Sequence, residues 1–283
     1  MTGARMSVVI PAHDEEAVIE RALRGVLAGS AGRIEVVVVA NGCQDATADR
    51  ARAVDSEIQV IEIAEASKIA ALNAGDAAAV LFPRAYVDAD VEVDAGTLLA
   101  LAAVLDSGLA LVASPEVELD LTGANRWVRA YYSVWQQSAF RQTGHIGSGI
   151  YALSEEGRHR FGDFPPVIGD DRFVQGLFLP SERATLLDRS FTVRPPRTLR
   201  ALVARGSRIA AGNQQLRTLG LAGSVPSGTA SLRRLIARVL PRPMLWGPFV
   251  LYCVVQLLTR RAAATRLTTE ATVSWTRDET SRV

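Results

Sequence analysis

Carboxylates stand at alternate positions in one short stretch of the chain, YVDADVEVD at residues 86–94. They are Asp88, Asp90, Glu92 and Asp94. In an extended backbone, Asp88 and Asp90 would lie on the same side, about 7 Å apart. Two like charges at that separation are unfavourable unless a cation lies beside them, and Mg²⁺ and Mn²⁺ prefer oxygen ligands. Taken alone, the stretch fits a set of solvated turn carboxylates, with Asp94 capping the next helix; the alternative is a divalent metal site.

The first half of the chain alternates apolar runs with helical patterns. The runs are MSVVIPA, IEVVVVA, IQVIEI and the one that ends in YVDAD; between them lie EEAVIERALRGVLAG, DATADRARAV and KIAALNAGDAAA. This order predicts an α/β fold with a parallel sheet covered on both faces. Right-handed crossovers place the strand carboxyl ends along one edge, where such sheets bind ligands. We therefore expect PAHDEE, ANGCQD and DAD to meet at that edge.

The second half predicts a strand in LALVASPEVEL, an aromatic helix in RWVRAYYSVWQQSAF, and a closing pair of strands in ATLLD and SFTVRP. IGDDRFV predicts a helix with Asp170 near its N-cap. LRALVARGSRIAAGNQQLRTL predicts a long basic helix, and GLAGSVPSGTAS a linker. The expected organisation is one domain over residues 1–219, a linker over 220–231 and a basic, apolar helical region over 232–283.

Charge is distributed unevenly along the 283 residues. Residues 1–188 carry 27 acidic and 15 basic side chains, whereas residues 189–269 carry 14 arginines and no Asp or Glu. Such a segment predicts an anionic partner: phosphates, a lipid surface or the acidic part of the chain itself. An apolar run lies between the arginines, which favours a membrane over nucleic acid as the partner.

That apolar run, MLWGPFVLYCVVQLL at residues 244–258, is shorter than the ~20 residues that span a bilayer. Its arginine flanks, Trp and Tyr predict an interfacial anchor on an anionic cytoplasmic leaflet. The alternative is a helix packed on the rest of the chain. Cys43 and Cys253 have no zinc spacing, and no signal peptide pattern opens the sequence. We expect a cytoplasmic protein, peripheral on the inner face of the cell membrane if the anchor is used.

Six motifs, in this order, resemble those of the family-2 glycosyltransferases. VVIPAHDEEAVI resembles VxIPxxNE, VVVVANGCQDAT resembles VVDDGSxDxT, and SKIAALNAG resembles GKxxALNxG. YVDAD is similar to the family's metal-binding D-x-D, IGDDRFV to its paired acids, and RGSRIAAGNQQL to its basic helix. The resemblance covers roughly residues 5–216. It implies the GT-A fold, a Rossmann-like and mostly parallel sheet flanked by helices, here with a basic helical C-terminal extension.

The resemblance also implies an activity: transfer of a sugar from a nucleoside-diphosphate sugar to an acceptor hydroxyl. Asp90, with Asp88, would hold Mn²⁺ or Mg²⁺ on the diphosphate, where a cation meets the charge of the leaving group. Asp171 matches the acid that removes the acceptor proton. Asp170 would cap its helix or orient the acceptor. The resemblance implies inversion of the anomeric centre.

The nucleotide side of the site is implied in the same way. Pro11, Ala12 and Glu15 fall where the family lines the base and ribose. Asn41 lies in ANG, where the family commonly has DDG, and its amide could bond a uracil or guanine edge. UDP-sugars are therefore the first expectation and GDP-sugars the second. Asp45 either lies near the nucleotide or caps the helix in DATADRARAV.

Basic residues supply the remaining candidates. Lys68 matches the family's GK lysine and would contact the nucleotide, or else be a surface cation at a helix start. Arg205 and Arg208 share one helical face and would clamp the diphosphate or an acceptor phosphate, or else form a solvated basic face. Ile209 stands where processive polymerases have Trp, which favours the addition of one sugar. The acceptor is unknown, with a lipid-linked or envelope acceptor expected if the anchor is used.

Two other functions compete with sugar transfer. A sugar-1-phosphate nucleotidylyltransferase uses a similar sheet, but normally opens with a glycine-rich, Arg-containing phosphate loop, which PAHDEE is not. A sugar-nucleotide-binding protein without catalysis is favoured by ANG in place of DDG. The presence of Asp88, Asp90 and Asp171 favours catalysis.

Overall fold

A computed structural model describes residues 4–138, 146–223 and 228–269. In these residues one sheet of seven strands forms the centre of the molecule. The strands are β1 Met6–Ala12, β2 Ile34–Asn41, β3 Gln59–Ile63, β4 Arg84–Val87, β5 Val112–Leu119, β6 Ile150–Leu153 and β7 Arg183–Val193. Their order across the sheet is β3-β2-β1-β4-β6-β5-β7, and only β6 runs antiparallel to its neighbours.

Helices connect the strands and cover the sheet. They are α1 Ile19–Leu27, α2 Thr47–Val54, α3 Lys68–Ala78, α4 Ala95–Asp106, α5 Arg126–Trp135, α6 Glu155–Arg158, α7 Asp170–Gly176, α8 Leu199–Thr218, α9 Gly228–Val239 and α10 Trp246–Thr269. Short 3₁₀ turns lie at Pro180–Glu182 and Pro243–Leu245.

Alternate residues of each strand face opposite sides of the sheet, and they build two separate cores. Val8 packs with Leu23 of α1 in one core. Val9, the next residue of β1, packs with Leu72 of α3 and Phe173 of α7 in the other. The strands are therefore buried on both faces, and the expected α/β architecture is confirmed.

Two details of the expected strands are wrong. β4 ends at Val87, and residues 88–91 form a turn in which the Val91 N–H donates to the Asp88 carbonyl, at 3.0 Å. Asp88 and Asp90 are thus parts of a turn and not successive residues on one side of a strand. ATLLD and SFTVRP belong to a single strand, β7, which pairs with β5 on both sides of a bulge at residues 187–189.

The helix starts at the carboxyl edge are fixed by side-chain caps. Asp94 accepts the N–H of Thr97 at 2.8 Å and opens α4, as the sequence predicts. Ser67 accepts the N–H of Ala70 at 3.2 Å and opens α3. Each cap satisfies an N–H that the helix leaves unpaired, so the first residue of α3, Lys68, has a defined position.

The two C-terminal helices pack on α5 and α8. Val255 of α10 shares a cluster with Tyr131 and Leu202. At the closest crossing, a Cβ on Gly206 of α8 would lie 2.3 Å from Thr259 Cγ2 of α10. One face of α10 is thus packed on the rest of the chain. No helix in the described ranges is both long and apolar enough to cross a bilayer.

The expected linker is only partly described. Residues 224–227 lie outside the described ranges, and α9 begins at Gly228, inside the expected linker. The end of the expected aromatic helix, from residue 139, and residues 270–283 also lie outside the described ranges.

A buried carboxylate, Asp76 of α3, ties this helix to β4 and α6. Its Oδ1 accepts from Arg84 at 2.9 Å and from the Tyr86 hydroxyl, and its Oδ2 accepts from Arg158 Nε at 2.9 Å. Burial alone would raise the pKa of Asp76, but the hydrogen bonds from Arg158, Tyr86 and Arg84 lower it below its ordinary value. The carboxylate therefore stays charged between the two guanidinium groups.

The substitution Asp76→Asn should lower the free energy of unfolding at neutral pH by about 3 kcal/mol, because it leaves two part-buried arginines without a counter-charge. Since the folded pKa is lowered, this contribution is present above about pH 4 and is lost as the pH falls through the folded pKa. Urea denaturation measures both effects. The matched control is Asp49→Asn, where an exposed Asp–Arg pair is removed, and its unfolding free energy should change by less than about 0.5 kcal/mol. Equal losses in the two variants would contradict the role given to Asp76.

Candidate functional site

One ammonium group joins the carboxyl end of β4 to the start of α7. Lys68 Nζ lies 2.7 Å from Asp88 Oδ1 and 3.0 Å from Asp170 Oδ1. The Lys68 side chain is 25 % exposed and that of Asp170 is 5 % exposed. Lys68 is therefore an internal counter-ion, and the alternative of a surface cation is wrong.

The ammonium of Lys68 and the carboxylates of Asp88 and Asp170 stabilise one another's charged forms. Burial disfavours the Lys68 ammonium, but the carboxylates of Asp170 and Asp88 outweigh burial and raise the pKa of Lys68 above its ordinary value. Burial, with the nearby charges of Asp171 and Asp88, raises the pKa of Asp170, while Lys68 opposes the rise. The lysine stays protonated at neutral pH and is the cation that makes two adjacent carboxylates tolerable.

Asp170 lies next to the N-cap of α7, as the sequence predicts, but its side chain makes no capping hydrogen bond, so of its two expected roles the cap is not seen. The N-cap is Gly169, and Asp170 is the first residue of the helix. Its Oδ2 accepts from the Tyr151 hydroxyl at 3.2 Å. Burial, followed by the charge of Asp170, raises the pKa of Tyr151, so the phenol remains protonated and donates. Asp170 is therefore held by a cation on one oxygen and a hydroxyl on the other.

Asp171 faces a turn formed by Gly147, Ser148 and Gly149, which no motif of the sequence analysis includes. Its Oδ2 accepts the N–H of Ser148 at 3.2 Å, and its Oδ1 accepts the N–H of Arg172 at 2.7 Å. Gly147, Ser148 and Gly149 all have positive φ, at 109°, 70° and 112°. A Cβ on Gly147 would lie 2.5 Å from Asp171 Oδ2, so the carboxylate occupies the space that a side chain would fill.

The same turn meets the metal-site candidates. The Asp88 N–H donates to the Gly149 carbonyl at 2.8 Å, and Asp90 lies in the turn after β4 with its side chain exposed. The other two carboxylates of YVDADVEVD have structural roles: Asp94 caps α4, and Glu92 pairs with arginines of α1 and of the segment after β7. Only Asp88 and Asp90 of the four remain as candidates for an ion.

The edge of β1 and β2 holds Pro11, Ala12 and Asn41, all buried. Asn41 is fully buried, and its Nδ2 donates to the Ala12 carbonyl at 2.7 Å. This hydrogen bond joins the ends of β1 and β2, and the contact expected between the Asn41 amide and a nucleotide base stays a prediction. Oδ1 is the remaining polar atom, and it has no hydrogen-bond partner among the described residues.

Asp45 and Glu15 link the loops after β1 and β2. Asp45 accepts the N–H of Thr47, the first residue of α2, at 3.0 Å, and the N–H of Glu16 at 3.1 Å. The buried Glu15 donates its N–H to Thr47 Oγ1 at 2.7 Å. Of the two roles expected for Asp45, the one at the start of the helix is seen, although the N-cap residue itself is Ala46.

A second cluster at this edge, His13, Asp14 and Cys43, brings three possible metal-ligand atoms within 4.8 Å. These groups already hold the two loops together. His13 Nδ1 lies 2.6 Å from the Asn41 carbonyl, and the Asp14 N–H donates to Cys43 Sγ at 3.4 Å. Burial raises the pKa of the Cys43 thiol, which disfavours the thiolate that a metal needs. We assign the cluster to loop structure.

Arg205 and Arg208 are half-buried on α8. One turn beyond Arg208, Gly212 packs against Ile168, and Gln215 Oε1 accepts the Ile168 N–H at 2.9 Å. This face of α8 therefore lies along the segment that leads into Asp170. The phosphate contacts expected of the two arginines stay a prediction.

Comparison with known proteins gave matches in sequence and in structure. The sequence model of glycosyl transferase family 2 matches residues 7–154, just over half of the chain. No curated protein sequence matches the chain.

Among solved structures, a mannosyltransferase from Pyrobaculum calidifontis in complex with GDP-Man and Mn²⁺ is 18% identical. It aligns with a TM-score of 0.61 over 96% of this chain and 77% of its own. Glucosyl-3-phosphoglycerate synthase from Mycobacterium tuberculosis, in complex with Mn²⁺, UDP and phosphoglyceric acid, is 22% identical, with a TM-score of 0.54 over 80% and 81%. The same enzyme with Mn²⁺, UDP-glucose and glycerol 3-phosphate is 23% identical, with a TM-score of 0.55 over 80% and 83%. These similarities support the fold.

The substitution Lys68→Met should lower the free energy of unfolding at neutral pH by about 2 kcal/mol, less than for a fully buried pair because Asp88 is partly exposed. The folded pKa of Asp170 is already raised, and removal of the ammonium raises it further. The folded variant takes up this proton at a higher pH than the unfolded chain, so its deficit should be smaller at about pH 5 than at about pH 8. Urea denaturation at both values tests this. Arg24→Met, which removes an exposed pair with Glu20, is the control. A deficit independent of pH would count against the arrangement.

Proposed function

The chain belongs to glycosyl transferase family 2, and from that premise we propose that it moves one sugar from a nucleoside-diphosphate sugar to an acceptor hydroxyl. The chain is a glycosyltransferase with the GT-A fold. One observation carries the finer proposal: Asp88 of the D-x-D turn and Asp170, next to Asp171, share a single ammonium, at 2.7 Å and 3.0 Å. This pairing supports a site in which the proposed metal ligands lie next to the proposed base. Membership of this family removes the nucleotidylyltransferase alternative.

We propose Mn²⁺ or Mg²⁺ as the cofactor, held by Asp90 with Asp88. The donor set fits a hard ion, because these metals are bound by one or two carboxylates together with substrate phosphates. Asp90 is exposed and Asp88 is partly covered, so we propose Asp90 as the more direct ligand. A Cβ on Gly149 would lie 2.6 Å from Val91 Cγ2, so the glycine lets this turn pack closely on the turn that carries Asp88 and Asp90. When bound, the ion would neutralise the charge that develops on the diphosphate.

Asp171 is the proposed base. Its carboxylate is partly exposed and is oriented by two backbone N–H groups, whereas Asp170 is buried and already paired. In the proposed step, the acceptor hydroxyl gives its proton to Asp171 while its oxygen bonds to the anomeric carbon. The bond from that carbon to the diphosphate breaks, and the nucleoside diphosphate leaves with the electron pair. A single displacement of this kind inverts the anomeric centre. Asp170 positions Asp171 and Lys68.

For the donor and the acceptor we propose a chemical class and not a single compound. The similar structures hold GDP-Man, UDP or UDP-glucose, so a UDP- or GDP-sugar is the proposed donor. Pro11, Ala12 and Glu15 line its nucleoside side. Lys68 contacts its diphosphate, with Arg205 and Arg208 on diphosphate or acceptor phosphate. We propose a lipid-linked or envelope acceptor, because the acid-free segment favours an anionic surface, and a cytoplasmic enzyme on the inner face of the membrane. Cys43 and Cys253 are free thiols, in keeping with a reducing compartment.

Nucleotide binding is the first test of the site. Titration with UDP, GDP, dTDP and CDP, with and without Mn²⁺, should show one diphosphate whose affinity rises at least tenfold with the metal. Asp90→Asn should lose that metal-dependent gain and keep the metal-free affinity. Asp163→Asn, in an exposed loop before α7, should bind as the wild type does. Absence of binding to all four diphosphates would overturn the proposed function.

Asp171→Asn tests the chemistry apart from binding. Loss of the general base should lower kcat by about 10²–10⁴-fold and leave metal-dependent nucleotide binding unchanged. Release of nucleoside diphosphate from UDP- or GDP-sugars measures turnover, with Asp163→Asn again as the control. If the wild type binds the nucleotide but Asp171→Asn turns over equally fast, another group is the base. If the wild type binds and no donor turns over with any acceptor, the chain is a binding protein.

A further inference from the structure

An apolar stripe runs along the outer side of the two C-terminal helices. The exposed side chains that form it are Leu232, Ile236, Leu240, Met244, Trp246, Val250, Val254, Leu257 and Leu258. Met244 is 92 % exposed, Val250 64 % and Leu240 65 %. Single exposed apolar residues are ordinary, but nine of them along two successive helices and the turn between them are typical of an interaction surface.

The stripe is not needed to hold α10 in place. Trp246, Val250 and Val254 follow one another at four-residue spacing, so they lie on one face of the helix. Val255, with Leu251, lies on the opposite face and packs in the cluster of α5 and α8. Helix α10 is therefore apolar on two faces, of which the fold uses only one.

Positive charge borders the stripe. Arg233 and Arg242 precede α10 and Arg260 lies in its later turns; all three are exposed. Residues 189–269 contain no acidic side chain. Trp246, at the start of the helix, is 53 % exposed, with its indole N–H donating to the Leu240 carbonyl at 3.2 Å. Apolar residues, a tryptophan and an arginine border are the features of a helix that lies in a membrane interface.

We propose that the apolar stripe docks on an anionic membrane surface, with α10 parallel to the bilayer. Charge complementarity selects this occupant. In a twofold dimer the same patch would face itself, and the arginines of one copy would meet those of the other, because residues 189–269 contain no acid to pair with them. Anionic headgroups pair with every one of them, and each arginine near such a surface strengthens binding about fivefold.

This inference rests on the proposed function and deepens it, because it assigns the membrane contact to a surface that carries no catalytic residue. Helix α10 packs on α8, and α8 packs on the segment that leads into Asp170. The docked face is thus one helix layer from the catalytic edge. A hydroxyl carried on a lipid is the class of acceptor that this arrangement brings within reach.

The test is co-sedimentation of the full chain with vesicles. The wild type should pellet with vesicles of phosphatidylcholine and phosphatidylglycerol, should not pellet with phosphatidylcholine alone, and should be released by high salt. The paired change Val250→Glu and Val254→Glu should weaken binding at least tenfold, because it places two charges in the buried part of the interface. Met244→Glu, at the most exposed position, is a second variant with the least effect on folding.

The matched control is Leu109→Glu with Leu187→Glu, at two positions that are exposed to a similar degree, 77 % and 74 %, but lie outside the stripe. It should pellet as the wild type does. Failure of the wild type to bind anionic vesicles overturns the proposal, as does equal binding by the stripe variants. The wild type could instead form a dimer in sedimentation velocity, lose it in the stripe variants and fail to bind vesicles. That result would show that the stripe contacts a second copy of the chain and would overturn the proposal. Vesicle binding is measured without substrate, so its result is independent of the activity assays.

Discussion

Lys68 places one positive charge between carboxylates that come from two different parts of the chain. A buried charge without a counter-charge is costly, so the end of β4 and the start of α7 must stay close to the first turn of α3. These are the elements that carry the D-x-D turn and the paired acids. The separation between the proposed metal ligands and the proposed base is therefore set by ion pairs inside the protein.

Helix α3 is held to β4 at two levels. Lys68 at its start pairs with Asp88 after the strand, and Asp76, two turns later, pairs with Arg84 and Tyr86 within the strand. Because α3 runs antiparallel to β4, the two contacts join the helix to the strand near both ends of the strand. The lysine cannot shift along the strand without breaking the second contact. The glycine turn at residues 147–149 completes the frame, since it holds the carbonyl and N–H that meet Asp88 and Asp171.

Local patterns predicted what depends on local physics. Alternating apolar runs indicated the sheet with two cores, Asp94 was predicted as a cap, and the long helix α8 followed from its periodicity. The partners of Lys68 could not be predicted, because they are distant in sequence and are brought together only by the folded sheet. The turn at 88–91 was missed because alternate carboxylates also suit a strand, and the antiparallel direction of β6 depends on pairing with distant strands. Gly147 and Gly149 could be read from the sequence, but their positive φ values and the contact of Gly147 with Asp171 depend on the folded structure.

Lys68 is the one lysine of the chain, and it lies inside the site. Apart from the terminal amino group, the protein has no other primary amine, so reagents that react with amines have a single internal target. The ion pairs with Asp88 and Asp170 shield that target by keeping it protonated and partly covered. The rate at which it is modified therefore reports how often the site opens, and no other lysine side chain contributes to the signal.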